Sequence, residues 1–361
     1  MARLESYSDA LVNRLSEYEF DSFLVGARLP PDIVDREDEL RAELKIRGKE
    51  TLKAQVTRYL SNALSKRTGK RLDYKLPDIT VLFSVSEGSI EVQPRPIWLS
   101  ARYLKTERGI PQRSTICSVC RGVGCANCNF EGKTPHSIQA IITRLLKNMY
   151  RAEDCNFIWI GSEDEKSLVL GNGRPFYVEV VGPKLRHPVI DEGNLVSQSI
   201  KITEVKTLRS RPRSVPSFRI KCRVFLVRND DIQKLPQSKR EEIESIFRNS
   251  FVSVRLSRKQ RVVAKKVIYL KFLNLENNQE PLLLEICCDG GIPIKKLVAG
   301  GEKDDEPIAV TPNLSQYVKG VSIDPERPFD VLEVSLLGAT TNPTSQRSES
   351  KPGFEPEVPL K

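Results

Sequence analysis

The sequence predicts an α+β protein: a small α/β unit with a cysteine-rich insert, joined to a second unit built on a large, mainly antiparallel sheet. Three observations carry that prediction. Helix and strand signals are mixed over the first hundred residues; from Asn156 onward strand signals dominate, interrupted by a single helical segment; and four of the eight cysteines fall between positions 117 and 128. Strands in succession with few helices between them argue against a regular βαβ alternation. A chain of 361 residues exceeds one ordinary core. The expected divisions are 1–110, an insert at 111–135, a second unit at 136–338, and a tail at 339–361 with too little apolar surface to offset its ordering entropy.

In chain order, Leu52, Val56, Leu60 and Leu64 recur at four-residue spacing and predict a helix from about Glu37 to Lys66, interrupted near Gly48. "ITVLFSV" (79–85) and "SIEVQ" (89–93) read as strands around the turn Ser86-Glu87-Gly88. After the insert, Ile138, Ile141, Ile142, Leu145, Leu146 and Met149 form the apolar stripe of a core-facing helix. "NFIWI", "FYVEVV", "SIKITEV", "FRIKCRVFLV", "KKVIYLKFL", "LLLEICC" and "FDVLEVSL" read as strands, and "SKREEIESIFRN" (238–249) as the helix among them.

Apolar content of 39% and charged content of 29% are those of a soluble globular protein. No apolar run approaches a membrane span, and the N-terminus carries acids where a signal peptide has its apolar centre, so a cytoplasmic location is expected. In such a reducing compartment clustered thiols read as metal ligands. Cys117, Cys120, Cys125 and Cys128 form two Cys-x-x-Cys pairs, a spacing that suits a closed tetrahedral zinc site with a structural role. Gly122 and Gly124 permit the positive φ angles of so tight a reversal. Cys155, Cys222, Cys287 and Cys288 stand in apolar or strand contexts and read as small buried side chains. The two histidines, His136 and His187, have no ligand partners at useful spacing.

The net charge of +10 favours a polyanionic partner. Two acid-free stretches concentrate it: 205–228, with Arg211, Arg213 and Arg219, and 253–272, with Arg258, Arg261 and Lys265. With their strands side by side, outward cations would make a positive face able to follow a phosphate backbone.

"RPIWLSARYLKTERGIPQ" (95–112), the cysteine insert, "CNF" (155–157) and "GSEDEKSLVLGNGRPFYVEVVGPK" (161–184) together resemble the archaeal and eukaryotic tRNA pseudouridine synthases that act on the TΨC arm. "RLSRKQRVVAKKV" (255–267) and "GGIPIKKLV" (290–298) resemble later segments of the same family, and the likeness runs from about Phe20 to Leu337. The resemblance implies a THUMP-like RNA-binding domain joined to a pseudouridine synthase domain, tRNA as partner and no organic cofactor; a monomer is expected. It lays the family's Gly-Arg-Glu-Asp motif on Gly161-Ser162-Glu163-Asp164, making Asp164 the catalytic carboxylate. Without the match, Asp164 reads as a solvated turn acid. Gly171 and Gly173 would fold the next turn back, bringing Arg174 beside it as a cation for substrate RNA, and Lys295 would add a second.

Three departures stand out, the first being Glu165-Lys166-Ser167 after the aspartate in place of the family's apolar-acid-apolar run. Ser162 stands where the family has an arginine, with Arg174, Lys166 or Arg261 as possible substitutes; Pro293 stands where the family has a base-stacking tyrosine, with Tyr177, Tyr269 or Tyr317 as possible substitutes. Beside the enzyme, these departures keep open a second reading: a tRNA-binding or tRNA-folding protein of the same architecture with lost or weakened catalysis.

Overall fold

The structure, a computed structural model, describes residues 2–189, 195–197, 199–256, 261–273, 282–300 and 308–337. The tail expected at 339–361 lies outside them.

The first unit comprises α1 (Ala2–Leu15), β1 (Ser22–Arg28), α2 (Pro31–Glu43), α3 (Leu52–Thr68), β2 (Arg71–Leu72), β3 (Ile79–Ser84) and β4 (Ile90–Pro94). Its strands form one sheet in the order β2-β1-β3-β4. The expected long helix is two helices. Pro31 starts α2, Gly48 turns the chain at φ +70°, and the Thr51 hydroxyl caps α3 by accepting from the Ala54 N–H at 3.2 Å. Of the expected stripe, Leu60 and Leu64 are buried with Phe23, Val81 and Phe83, whereas Leu52 is exposed at the helix start.

The second unit comprises β5 (Ile97–Lys105), α4 (Ile138–Tyr150), β6 (Asp154–Trp159), β7 (Val169–Val181), β8 (Val196–Ser197), β9 (Ile200–Leu208), β10 (Ser217–Leu226), α5 (Asp230–Gln233), α6 (Gln237–Phe247), β11 (Ser250–Leu256), β12 (Arg261–Leu273), β13 (Leu282–Asp289), α7 (Ile294–Ala299), β14 (Ile308–Thr311) and β15 (Phe329–Leu337). Among the described residues its strands make an eleven-stranded sheet ordered β14-β11-β12-β13-β10-β15-β7-β5-β9-β8, with β6 beside β7. All pairings are antiparallel except β15 with β7, which run parallel where the two halves of the sheet meet. Helix α4 packs over β6, β7 and β9, and α6 over β11 and β12. Ser137 caps α4, and Ile138, Ile141, Ile142 and Leu146 sink into a core shared with Leu99, Val178 and Ile202.

The expected boundary at 110 falls too late. Strand β5 pairs with β7 and β9 and so belongs to the second unit, leaving the change of unit between β4 and β5. Ion pairs tie the units together: Lys184 to Glu17 at 2.6 Å and Arg186 to Asp78 at 3.4 Å. Among the described residues no helix is long and apolar enough to cross a membrane.

Candidate active site

Between β6 and β7 the chain makes the loop 161–168. Gly161, at φ +78°, is required there: a Cβ would stand 2.6 Å from the Phe218 ring and 2.8 Å from an Arg174 nitrogen. Asp164 then closes a local turn, its Oδ1 accepting the Lys166 N–H at 3.0 Å. Its Oδ2 lies 2.5 Å from Lys295 Nζ, and its side chain retains 24% exposure. Burial pushes the Asp164 carboxyl upward, but the hydrogen bond and charge of Lys295, with the Lys166 N–H and the more distant Lys105, outweigh it and hold the group below the usual carboxylate range. Asp164 is therefore ionised near neutral pH, and its cation comes from the first turn of α7 instead of from position 162.

Beneath Asp164 lies a buried ion cluster. The Glu163, Lys105 and Arg174 side chains all have 0% exposure, with Lys105 Nζ 3.1 Å and Arg174 Nε 3.3 Å from the Glu163 carboxylate. Arg174 also donates to the Ile160 carbonyl at 3.2 Å. This corrects the expectation for Arg174: a guanidinium without surface exposure braces the loop from behind and does not meet RNA phosphates. Tyr103 is fully buried, and desolvation together with the nearby Glu163 charge pushes its phenol well above the usual range, so it stays protonated.

Asp164 opens onto a cleft of about 470 Å³ whose wall includes Phe218, Ile220, Gly290, Pro293, Lys295 and Phe329. With Asp164 from the loop before β7, these come from the start of β10, the end of β13, α7 and the start of β15, at the centre of the sheet. The tip of the Phe218 ring meets two glycines: a Cβ at Gly290 would come within 2.3 Å of it, and one at Gly161 within 2.6 Å. The Gly290 N–H also donates to the Phe218 carbonyl at 2.7 Å. Phe218 is the aromatic that sequence reasoning missed. Of the candidates named instead, Tyr269 donates to Glu285 at 2.9 Å, Tyr317 packs edge-on against Phe247, and Tyr177 is absent from the cleft wall. Pro293 precedes α7 at its N-cap, where a missing N–H breaks no strand bond.

The expected continuous basic face is divided. Strands β9 and β10 are separated by β5, β7 and β15. On β10, Lys221 pairs with Glu285 at 3.2 Å and Arg219 approaches Asp289 at 4.0 Å, because β13 places acids beside them. Arg211 stacks over Trp98 at 5.7 Å, and Arg213 is exposed on the same loop. Lys265 reaches the cleft rim, its Nζ 3.9 Å from where a Gly291 Cβ would stand. Lys295, expected as an RNA contact, is engaged by Asp164. Arg258 and the Arg261 side chain lie outside the described residues.

In the insert, the Sγ atoms of Cys117, Cys120, Cys125 and Cys128 lie within 4.8 Å of one another. Three of the separations are 3.9, 3.7 and 3.8 Å. Tetrahedral metal–sulfur bonds of about 2.3 Å would space the sulfurs by about 3.8 Å, so the set fits a metal ion. Gly122 and Gly124, at φ +98° and +103°, make the reversal, and a Cβ at Gly124 would strike the Phe130 carbonyl at 2.7 Å. The Gly124 and Cys125 N–H groups each donate to a sulfur at 3.2 Å, and N–H groups of Cys120 and Val119 hold the Cys117 thiol below its usual range.

Residues 7–84 match the archaeal Pus10 THUMP domain, and residues 98–335 match the Pus10 C-terminal region. The interval between these matches coincides with the change of sheet between β4 and β5. Similar curated proteins are named tRNA pseudouridine synthase Pus10. The one from Nitrosopumilus maritimus is 29% identical over 87% of this chain and 79% of its own. That from Cenarchaeum symbiosum is 30% identical over 83% and 71%, and that from Archaeoglobus fulgidus is 29% identical over 92% of each. A solved chain from a Cbf5-Nop10-Gar1 complex shares 11% identity over 64% of this chain and 47% of its own, with a TM-score of 0.29, a likeness too weak to bear on the fold. With the larger match running through every strand that builds the cleft, the chain belongs to the Pus10 family.

Proposed function

We propose that this chain is a tRNA pseudouridine synthase that isomerises uridine in the TΨC arm, with Asp164 as its catalytic carboxylate. The observation that carries the reading is the pairing, in one cleft, of an ionised and partly exposed carboxylate with an aromatic wall. The reaction breaks the N1–C1′ bond, turns the uracil, and forms a C5–C1′ bond; the proton lost at C5 is balanced by one gained at N1, so no oxidant or reductant is consumed. A carboxylate held next to the sugar carbon suits such an exchange, because charge or a covalent bond at that carbon divides it into easier steps.

The target base must leave its stack to reach Asp164. Phe218 offers it an aromatic face worth about 1–3 kcal/mol per stacked base. Having no O–H, Phe218 takes no part in moving protons. Lys265 at the rim is placed for a flanking phosphate, Arg219 stands on β10 between the cleft-wall residues Phe218 and Ile220, and Arg211 and Arg213 lie on the loop before β10 for the rest of the tRNA. The four thiolates would hold zinc as a closed set with no open position for water, so the metal would stabilise the insert.

The non-catalytic reading rested on Ser162 and Pro293. With Ser162 and Pro293 in place, Asp164 still has a cation in Lys295 and an aromatic neighbour in Phe218 in one cleft, which favours the enzyme. Incubating the purified protein with an unmodified tRNA transcript and mapping pseudouridine tests it; a tRNA-bound protein that leaves every uridine unchanged would contradict it.

A further inference from the structure

We propose that the segment Lys105–Gln112 positions Asp164, with Lys105 and Arg108 as the positioning residues; the inference rests on the catalytic reading of Asp164. The sequence there, "KTERGIPQ", reads like a charged surface turn. Lys105 instead ends β5 with 0% exposure, its Nζ donating to the carbonyls of Ile110 at 3.1 Å, Asp164 at 3.3 Å and Glu165 at 3.1 Å, besides its pairing with Glu163. The Gly109 N–H donates to the Glu165 carbonyl at 2.9 Å, and Gln112 reaches the Gly161 carbonyl at 3.4 Å. Arg108 donates to the Lys166 carbonyl at 2.6 Å and pairs with Asp330 at 2.7 Å, whose carboxylate in turn accepts the Leu168 N–H at 3.1 Å.

The loop carbonyls at 161, 164, 165 and 166 are thus all gripped from this one segment, while Ser162 and Glu165 point outward. A buried ion pair is a poor source of stability, because well-packed apolar residues of similar volume often serve as well. It is a good source of geometry: an ammonium among four oxygens fixes backbone atoms that no apolar contact could fix directionally. The quantity at stake is where the Asp164 carboxylate points relative to Lys295 and Phe218, and a displacement of about 1 Å in a reacting group can cost about 100-fold in rate.

The test uses the full chain and a tRNA transcript, reading kcat, KM and melting temperature. Lys105→Met removes the ammonium at similar length and leaves Glu163 paired with Arg174, whereas Lys105→Met with Glu163→Gln also removes that carboxylate and strands the Arg174 guanidinium. The expected result is a kcat lower by about 100-fold in both, with KM for tRNA within about threefold, and a melting temperature lower in the double variant than in Lys105→Met while kcat falls no further. Arg108→Lys, at a side chain with 25% exposure, keeps the charge but loses the two-pronged grip; a kcat lower by about tenfold at unchanged KM is expected, and this variant decides the matter if the Lys105 variants fail to fold. A double variant with wild-type kcat, a kcat that tracks melting temperature in all variants, or an Arg108→Lys protein with undiminished kcat would overturn the inference alone. A wild type that binds tRNA but forms no pseudouridine would overturn the functional reading with it.

Discussion

Lys295 Nζ stands 2.5 Å from Asp164 Oδ2, joining the first turn of α7 to the loop between β6 and β7 across the centre of the eleven-stranded sheet. Burial alone would favour a protonated Asp164; the lysine reverses that and keeps a carboxylate facing the cleft.

Lys295→Met is expected to move the acid limb of the kcat profile to higher pH. The Asp164 carboxyl is depressed in the folded protein, so its contribution to stability is full above the unfolded value near ~3.9 and is lost as pH falls through the lower folded value. Without Lys295 the folded value rises and that contribution shrinks. A kcat lower by about tenfold near neutral pH is expected from the less oriented carboxylate. A pH–rate profile with an unmoved acid limb would contradict the assignment of Lys295 as its counterion.

Phe218→Ala is expected to lower kcat/KM by about 10- to 100-fold, the equivalent of one lost base stack, whereas Phe218→Tyr should retain most activity. Gly290→Ala should act like Phe218→Ala, since its methyl group would stand 2.3 Å from the ring and displace it. Steady-state kinetics on tRNA checks all three, and a fully active Gly290→Ala protein would show that the ring's position is irrelevant.

Elemental analysis is expected to find about one zinc per chain, consistent with one closed four-sulfur site. Cys128→Ser should lose the metal and lower the melting temperature by about 5 °C or more, because the metal's binding energy is folding energy for the insert. Full metal content in that variant would place the ion elsewhere.

Strongly periodic elements were readable from the sequence: the α4 stripe and the alternation along β10 and β13 carry their own burial pattern. The boundary was not, because only Arg95 and Pro96 separate β4 from β5, and the pairing of β5 with β7 and β9 is made with residues far along the chain. The basic stretches were visible as charge, but their neighbours were not, since strand order in the sheet differs from order in the chain. Asp164 and the four cysteines were legible through motif and spacing. Phe218 was not, because a phenylalanine in an alternating strand reads as core, and only the convergence of Gly161 and Gly290 on its ring sets it apart. Lys105 and Arg108 escaped notice for the reverse reason: a cation looks like surface until the fold buries it.

The most direct measurement compares wild type with Asp164→Ala on an unmodified tRNA transcript, mapping pseudouridine by position and measuring tRNA affinity in parallel. A catalytic role for Asp164 predicts pseudouridine in the TΨC arm from wild type, a rate lower by at least about 1,000-fold in the variant, and the same affinity in both. Pseudouridine formed at a comparable rate by Asp164→Ala would contradict it.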